Sequence, residues 1–276
     1  MGKKHEQPKH KIIDPRIQKS KIKYEGQIYF NHFGTPYKVI EYIKKNNIIV
    51  EFQDEYHIRK QVSLKEMLNG HILNPYDKTV CGIGYHGDIC INKNVDALYN
   101  KCYNVWVKML RRCYDTNIQQ TNKTSSYIGC TVCEEWHNFK YFREWYMSHY
   151  YQINDNEQMC VDKDILFKGN KIYSPNTCCI VPNEINVLFT KTNKKRGKYP
   201  IGVYYNKSNH KFISQCKHGG NKPQQYLGIY DTCEEAFVAY KNYKENYIKQ
   251  LANKYKDYLE PKVYNALINY QVEIND

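Results

Sequence analysis

From Lys23 to about Cys90 the pattern of apolar and polar positions is that of strands. In "GQIYFNHFGTPYKVIEYIKKNNIIVEFQ" the alternation runs through Ile28, Phe30, Tyr37, Val39, Val50 and Phe52. Breaks fall at Gly34-Thr35-Pro36 and Asn46-Asn47. A period of two with turn residues between runs predicts short antiparallel strands, and their close spacing predicts a small barrel. The period then changes. Across "DALYNKCYNVWVKMLRRCY", residues 96–114, Tyr99, Cys102, Tyr103, Trp106, Met109, Leu110 and Cys113 recur at steps of three and four. That pattern predicts a helix with one apolar stripe, Asp96 as its N-cap, and Lys101, Lys108, Arg111 and Arg112 largely off the stripe. "EEWHNFKYFREWYMSHY" repeats the device with Trp136, Phe139, Phe142 and Trp145 or Tyr146. Aromatics at helical spacing read as core rather than as platforms for stacking bases. "SYIGCTVC" between the two predicts a turn and a short strand.

Two later stretches change pattern again. "CVDKDILFKGNKIYSPNTCCIVPNEIN", residues 160–186, predicts a strand ending in an acid, a Gly-Asn turn, a second strand and a short helix opening with asparagines. Residues 199–250 predict three short strands followed by a long helix. Thr232 is its N-cap with Glu235 completing a capping box, and Ala236, Ala239, Tyr240 and Tyr243 are its buried side. The predicted fold class is therefore α+β and multidomain. The expected parts are a basic flexible arm (1–22), a small barrel (23–90), a helix–strand–helix–hairpin–helix domain (91–195), a sheet-plus-helix domain (196–259) and a helical tail (260–276).

Composition adds a partner class. Lys and Arg number 41 against 28 acids, a net charge of +13 in 276 residues. That excess favours a polyanion, nucleic acid before membrane, although the abundance of Tyr, Asn, Ile and Lys is also what AT-rich coding produces. No run approaches the ~20 apolar residues that cross a bilayer, and the basic first residues have no apolar signal core. The 11 cysteines read as reduced thiols of an intracellular, cytoplasmic protein.

The order "VWVKMLRRCY…YIGCTVCEEWHNFKYFREWY…CVDKDILFKGNKIYSPNTCCIVPNEIN" resembles a divergent branch of the HNH homing-endonuclease family common in phages. The resemblance covers about Asp96 to Phe189 and implies a ββα-metal fold: two antiparallel strands and a helix hold one divalent metal ion, Mg²⁺ or Mn²⁺, against the scissile phosphate. It implies Asp162 and Asn186 as metal ligands, Asn176 as the residue bracing the hairpin, and Asp164 as a further ligand or orienting group. Where the family carries a histidine base, this chain has Lys163, and a lysine at its ordinary pKa of ~10.4 takes no proton from water at neutral pH. Three alternatives follow. Lys163 stabilises the phosphate as a cation, His137 or His149 supplies the base, or catalysis is lost and a DNA-binding shell remains. Zinc is not expected, because Cys130-x-x-Cys133 is a lone pair and Cys178-Cys179 on a strand would face opposite ways.

"NPYDKTVCGIGYHG" and the strands before it resemble, loosely, the Src-homology-like barrel at the front of some phage-borne endonuclease-like proteins. Residues 199–250 resemble the plant ethylene-response-factor DNA-binding domain. The residues that carry this are Gly202-Val203, Lys211-Phe212, Leu227-Gly228, Thr232 and Glu234-Glu235-Ala236 through Tyr240. In that family the sheet, not the helix, enters the major groove. Phe212, Ser214 and Cys216 should then face the helix, while Lys211, Gln215, Lys217, Tyr204 and Asn206 face DNA. Lys194, Lys195 and Arg196 precede the module, placed to straddle phosphates. The expected partner is double-stranded DNA. The expected function is metal-dependent phosphodiester hydrolysis, with a catalytically inactive DNA-binding protein or regulator as the alternative.

Overall fold

The computed structural model describes residues 14–87, 97–120, 127–189, 198–218 and 223–274. It is a mixed α+β protein that divides after Asp77 into two compact units. No helix among the described residues is long and apolar enough to cross a membrane.

The first unit opens with α1 (Pro15–Tyr24), started by Asp14, whose carboxylate accepts the Arg16 N–H at 2.8 Å. Residues 15–22 of the expected basic arm are therefore helical, because Ile17 and Tyr24 give them a side to bury, and residues 1–13 lie outside the described residues. An antiparallel meander follows: β1 (Ile28–Phe30), β2 (Pro36–Lys44), β3 (Asn47–Phe52) and β4 (Arg59–Val62), paired in chain order. Among the described residues the ladder runs from β1 to β4, with no pairing between those two strands. Along β3, Ile48, Val50 and Phe52 are fully buried, as the period of two requires. The short α2 (Leu64–Leu68) carries a capping box between Ser63 and Glu66. Asp77 closes the unit: its carboxylate accepts from Asn31 Nδ2 at 2.7 Å and from the Asn74 N–H at 3.0 Å.

The boundary expected near residue 90 lies at 77 because Val80 and Gly84 already belong to the next core. A Cβ on Gly84 would stand 2.4 Å from Leu110 and 2.9 Å from Trp106, so the chain lies flush on the helix there. That helix is α3 (Ala97–Tyr114), followed by α4 (Thr116–Gln119) and β5 (Thr131–Val132). The second aromatic helix is not continuous. A 3₁₀ turn, Glu134–His137, precedes α5 (Phe139–His149), and Asn138 between them accepts the Lys140 N–H at 3.0 Å as N-cap.

Next come β6 (Met159–Asp162), β7 (Ile172–Tyr173), β8 (Cys179–Pro182) and α6 (Asn183–Phe189). The antiparallel partner of β6 is β8, whereas β7, directly after the Gly-Asn turn, pairs in parallel with β5. β8 is buried on both faces. Cys178 (just before it) and Ile180 enter the core of α3 and α5, and Cys179 and Val181 enter a second core with α6. The expected opposition of the two cysteines is thus seen between two cores.

The rest of the chain is β9 (Val203–Asn206), β10 (Lys211–Cys216), β11 (Gln225–Tyr230), α7 (Cys233–Lys254) and α8 (Pro261–Ile268). β10 is central in the three-stranded sheet. α7 packs against residues on both sides of the domain boundary expected at 195. Its Ala236, Phe237 and Tyr240 pack on the sheet, while Ile248, Leu251 and Ala252 pack on Ile165, Val181 and Ile185 of the hairpin and α6. The tail is more than a helix: Val272 returns to the sheet core, its carbonyl accepting from Lys241 Nζ at 2.6 Å.

Candidate active site and nucleic-acid interface

Register determines what the β6 hairpin presents. Asp162 pairs with Cys179 and Cys160 with Val181, so Asp162 shares the face that meets α6. It is 9 % exposed, and its Oδ1 accepts the N–H groups of Asp164 at 2.7 Å and Ile165 at 2.8 Å. Burial pushes its carboxyl up to about 6, against the opposing pull of those two N–H groups. Asn186, half-buried on α6, lines the same cleft.

Lys163 turns the other way. Its ammonium donates to Asp164 Oδ2 and to the Asn170 carbonyl, each at 2.8 Å, and lies 5.8 Å from the Tyr173 ring centroid. Burial works to lower its pKa, but the hydrogen bond and charge of Asp164, with Cys130 and Asp162, outweigh it and hold the pKa above the usual lysine value. Lys163 is therefore a cation that locks the loop, and Asp164 is occupied in holding it.

The hairpin brace is Asn170, not Asn176. Asn170 Nδ2 donates to the carbonyls of Lys163 (2.8 Å) and Ile172 (2.7 Å), and its Oδ1 accepts the Ile172 N–H at 3.1 Å. Asn176 is exposed at the loop surface. The Gly169-Asn170 turn was visible in the chain; that the Asn side chain would span it depended on how β7 pairs.

Asp162, Lys163, Asp164, Asn170 and Asn186 line one cleft of about 350 Å³. Its other wall is one face of α3: Val105, Lys108, Met109 and Arg112, spaced i, i+3, i+4 and i+7, joined by Lys171. These cations escaped the sequence reading because helical periodicity marks the buried face and does not say which cleft the flanking face borders. Arg112 also lies over the Tyr127 ring, 5.2 Å from its centroid. Among the described residues no histidine lines the cleft. His137 Nε2 lies 3.1 Å from the Val132 carbonyl, and His149 Nδ1 2.8 Å from the Trp145 carbonyl.

The donors suit a hard divalent cation. A carboxylate whose burial disfavours its charge and an amide side chain border one opening, and Mg²⁺ or Mn²⁺ accepts one or two protein oxygens with water completing its shell. No group of three or more His, Cys, Asp or Glu side chains among the described residues is arranged to hold a metal ion. The residues of the cleft that could hold such an ion are Asp162 and Asn186. The thiols nearby stay protonated: burial raises Cys130 and Cys133 and pushes Cys178 up to about 12.

The second candidate surface is the outer face of the β9–β11 sheet. Ser214 and Cys216 are buried toward α7 and Phe212 is half-buried there, as expected. Tyr204 and Asn206 pair with Ile213 and Lys211 and so lie with them and Gln215 on the outer face, with Lys217 exposed just beyond. β11 adds Tyr226 and Ile229, opposite Gln215 and Ile213, which sequence reasoning left out. Lys211 is ion-paired with Asp231 at 2.8 Å. Lys194, Lys195 and Arg196, and the Asp96 cap, lie outside the described residues. Comparison with known proteins finds no matching family model, no matching curated protein and no matching solved structure.

Proposed function

We propose that this chain is a duplex-DNA-binding protein of the HNH-like endonuclease kind, hydrolysing a phosphodiester bond in the Asp162–Asn186 cleft. The observation that carries this is the juxtaposition, in one cleft, of an acid and an amide with Lys108, Arg112 and Lys171. A divalent cation bound there would supply charge neutralisation at the leaving oxygen. Asp162 and Asn186 would hold it, with the Asp162 carboxylate oriented by the N–H groups of Asp164 and Ile165. Arg112 and Lys108 take the non-bridging oxygens of the phosphate, the fork of Arg112 fixing its orientation. Lys163 is no base, since it is held protonated, and the proton of the attacking water leaves to a substrate phosphate oxygen or to solvent.

That same state of Lys163 favours a second reading, in which the cleft binds the backbone without cutting it. Nicking of supercoiled plasmid in Mg²⁺ or Mn²⁺ separates the two. The expected result is metal-dependent nicking that Asp162→Ala abolishes and Arg112→Ala slows about 10- to 100-fold, the loss of a charge-assisted contact. Absence of nicking on plasmid that the protein retains in a gel shift would establish the binding-only reading.

A further inference from the structure

The outer face of the β9–β11 sheet has a composition that selects among base pairs. One rung crosses all three strands: Tyr204 on β9, Ile213 on β10 and Ile229 on β11. Tyr226 flanks it opposite Gln215. Tyr204, Tyr226 and Ile229 are 39 %, 50 % and 44 % exposed, an apolar surface that no described part of the unit covers. The segment around it is basic. Within residues 198–231 Lys198, Lys207, Lys211, Lys217 and Lys222 stand against a single acid, Asp231, a net positive segment suited to a polyanion.

In the major groove each base pair shows its own donors, acceptors and methyl group. Arg and Lys suit guanine O6 and N7, Asn and Gln suit adenine N6 and N7, and apolar side chains suit the thymine methyl. This face is poor in the first kind and rich in the other two. No arginine occurs anywhere from residue 197 to the end of the chain. Lys211 is engaged by Asp231 at 2.8 Å. The Gln215 side-chain amide has no hydrogen-bond partner among the described residues and is aimed outward by its place on β10. Asn206 has its Oδ1 on the Ser208 N–H at 2.9 Å, which fixes the amide and leaves its NH₂ group to donate.

We propose that this sheet face reads A·T base pairs in the major groove of duplex DNA, with Gln215 on adenine and the Ile213–Ile229 pair against thymine methyl groups. The proposal rests on the duplex-DNA reading above. The rung of Tyr204, Ile213 and Ile229 lies across the strands, so neighbouring side chains meet successive methyl groups. The lysines around it hold the flanking phosphates without sequence preference.

The test uses the full chain. Duplexes are selected from a pool with a randomised core at moderate salt, and the preferred one is remade with deoxyuridine for thymidine, which deletes only the C5 methyl groups. The expected result is a selected core dominated by A·T pairs, with affinity lost roughly tenfold on deoxyuridine substitution. Ile229→Ala, at an exposed position, should bind the two duplexes about equally while keeping its thermal melt. Gln215→Ala should relax the preference at one adenine. A G·C-rich or unselective core, or equal wild-type affinity for the thymidine and deoxyuridine duplexes, overturns the proposal while leaving duplex binding in place. No binding to any duplex at low salt overturns the duplex-DNA reading and the proposal together.

Discussion

Lys244 carries a charge into the interior of the second unit. It is 7 % exposed, and its ammonium donates to the Leu188 carbonyl at 3.1 Å, at the last turn of α6. Burial lowers its pKa, with only the Cys216 thiol nearby pulling the other way. Below its folded pKa such a lysine is protonated in both states, and the cost of burying the charge is then fully present. As pH rises through the folded pKa toward 10.5, the folded form releases its proton first and the cost disappears. Lys244→Met removes that term but leaves the Leu188 carbonyl without its donor, a loss of about 1–3 kcal/mol. The stability of the variant relative to wild type should therefore be greatest below that folded pKa and decline as pH rises toward 10.5, as read from urea midpoints across that range. A constant difference would show that Lys244 is not desolvated. Lys163 is the contrasting case: equally buried, it has a carboxylate and a carbonyl as partners, so its charge is kept.

At the scale of elements, α7 is held at its start by local chemistry and along its length by tertiary contacts. Thr232 and Glu235 form the capping box that the chain announces, with the Thr232 side chain accepting the Glu235 N–H at 3.2 Å. The approach of the helix to the sheet depends on Gly202. Its φ of +77° lies in the left-handed region, and a Cβ there would stand 2.0 Å from the Tyr240 ring. Gly202→Ala combines backbone strain with a clash in a close-packed core. A loss of about 2 kcal/mol or more is expected, measured by denaturant unfolding of the full chain. A neutral result would mean that Tyr240 swings away freely and that the sheet–helix contact is loose. The buried stripe of α7 was partly legible beforehand. Ala236 and Tyr240 are in it, but Phe237 is buried where Ala239 was expected, because the stripe has to turn from the sheet toward Ile248 and Leu251.

At the scale of the molecule, the sheet and the candidate cleft belong to one unit because α7 passes through both of their cores. Tyr240 and Ala252, one in each core, are about 18 Å apart along the helix at 1.5 Å per residue. A fragment of residues 198–276 would keep the sheet and uncover Ile248, Leu251, Ala252 and Tyr255, which pack on the hairpin and α6 in the whole chain. Such a fragment is expected to bind a hydrophobic dye and to lack a cooperative melt, in contrast to the full chain. Sharp, dye-free unfolding of the fragment would make the sheet and helix an independent domain after all.

The chain by itself determined the periods, the caps and the turns: the alternation of β2 and β3, the apolar stripe of α3, the box at Thr232, and the outward placement of Tyr204, Lys211 and Gln215. These are local properties, written in residues within a few positions of each other. The tertiary structure alone decided what each face meets. It gave Asp162 to α6 and Lys163 to Tyr173, moved the hairpin brace from Asn176 to Asn170, brought Lys108 and Arg112 of α3 to the cleft, and ran one helix through two cores. Periodicity records that a side is apolar, but the partner that buries it stands tens of residues away, and strands as short as β5 and β7 are selected by that partner rather than by their own two residues.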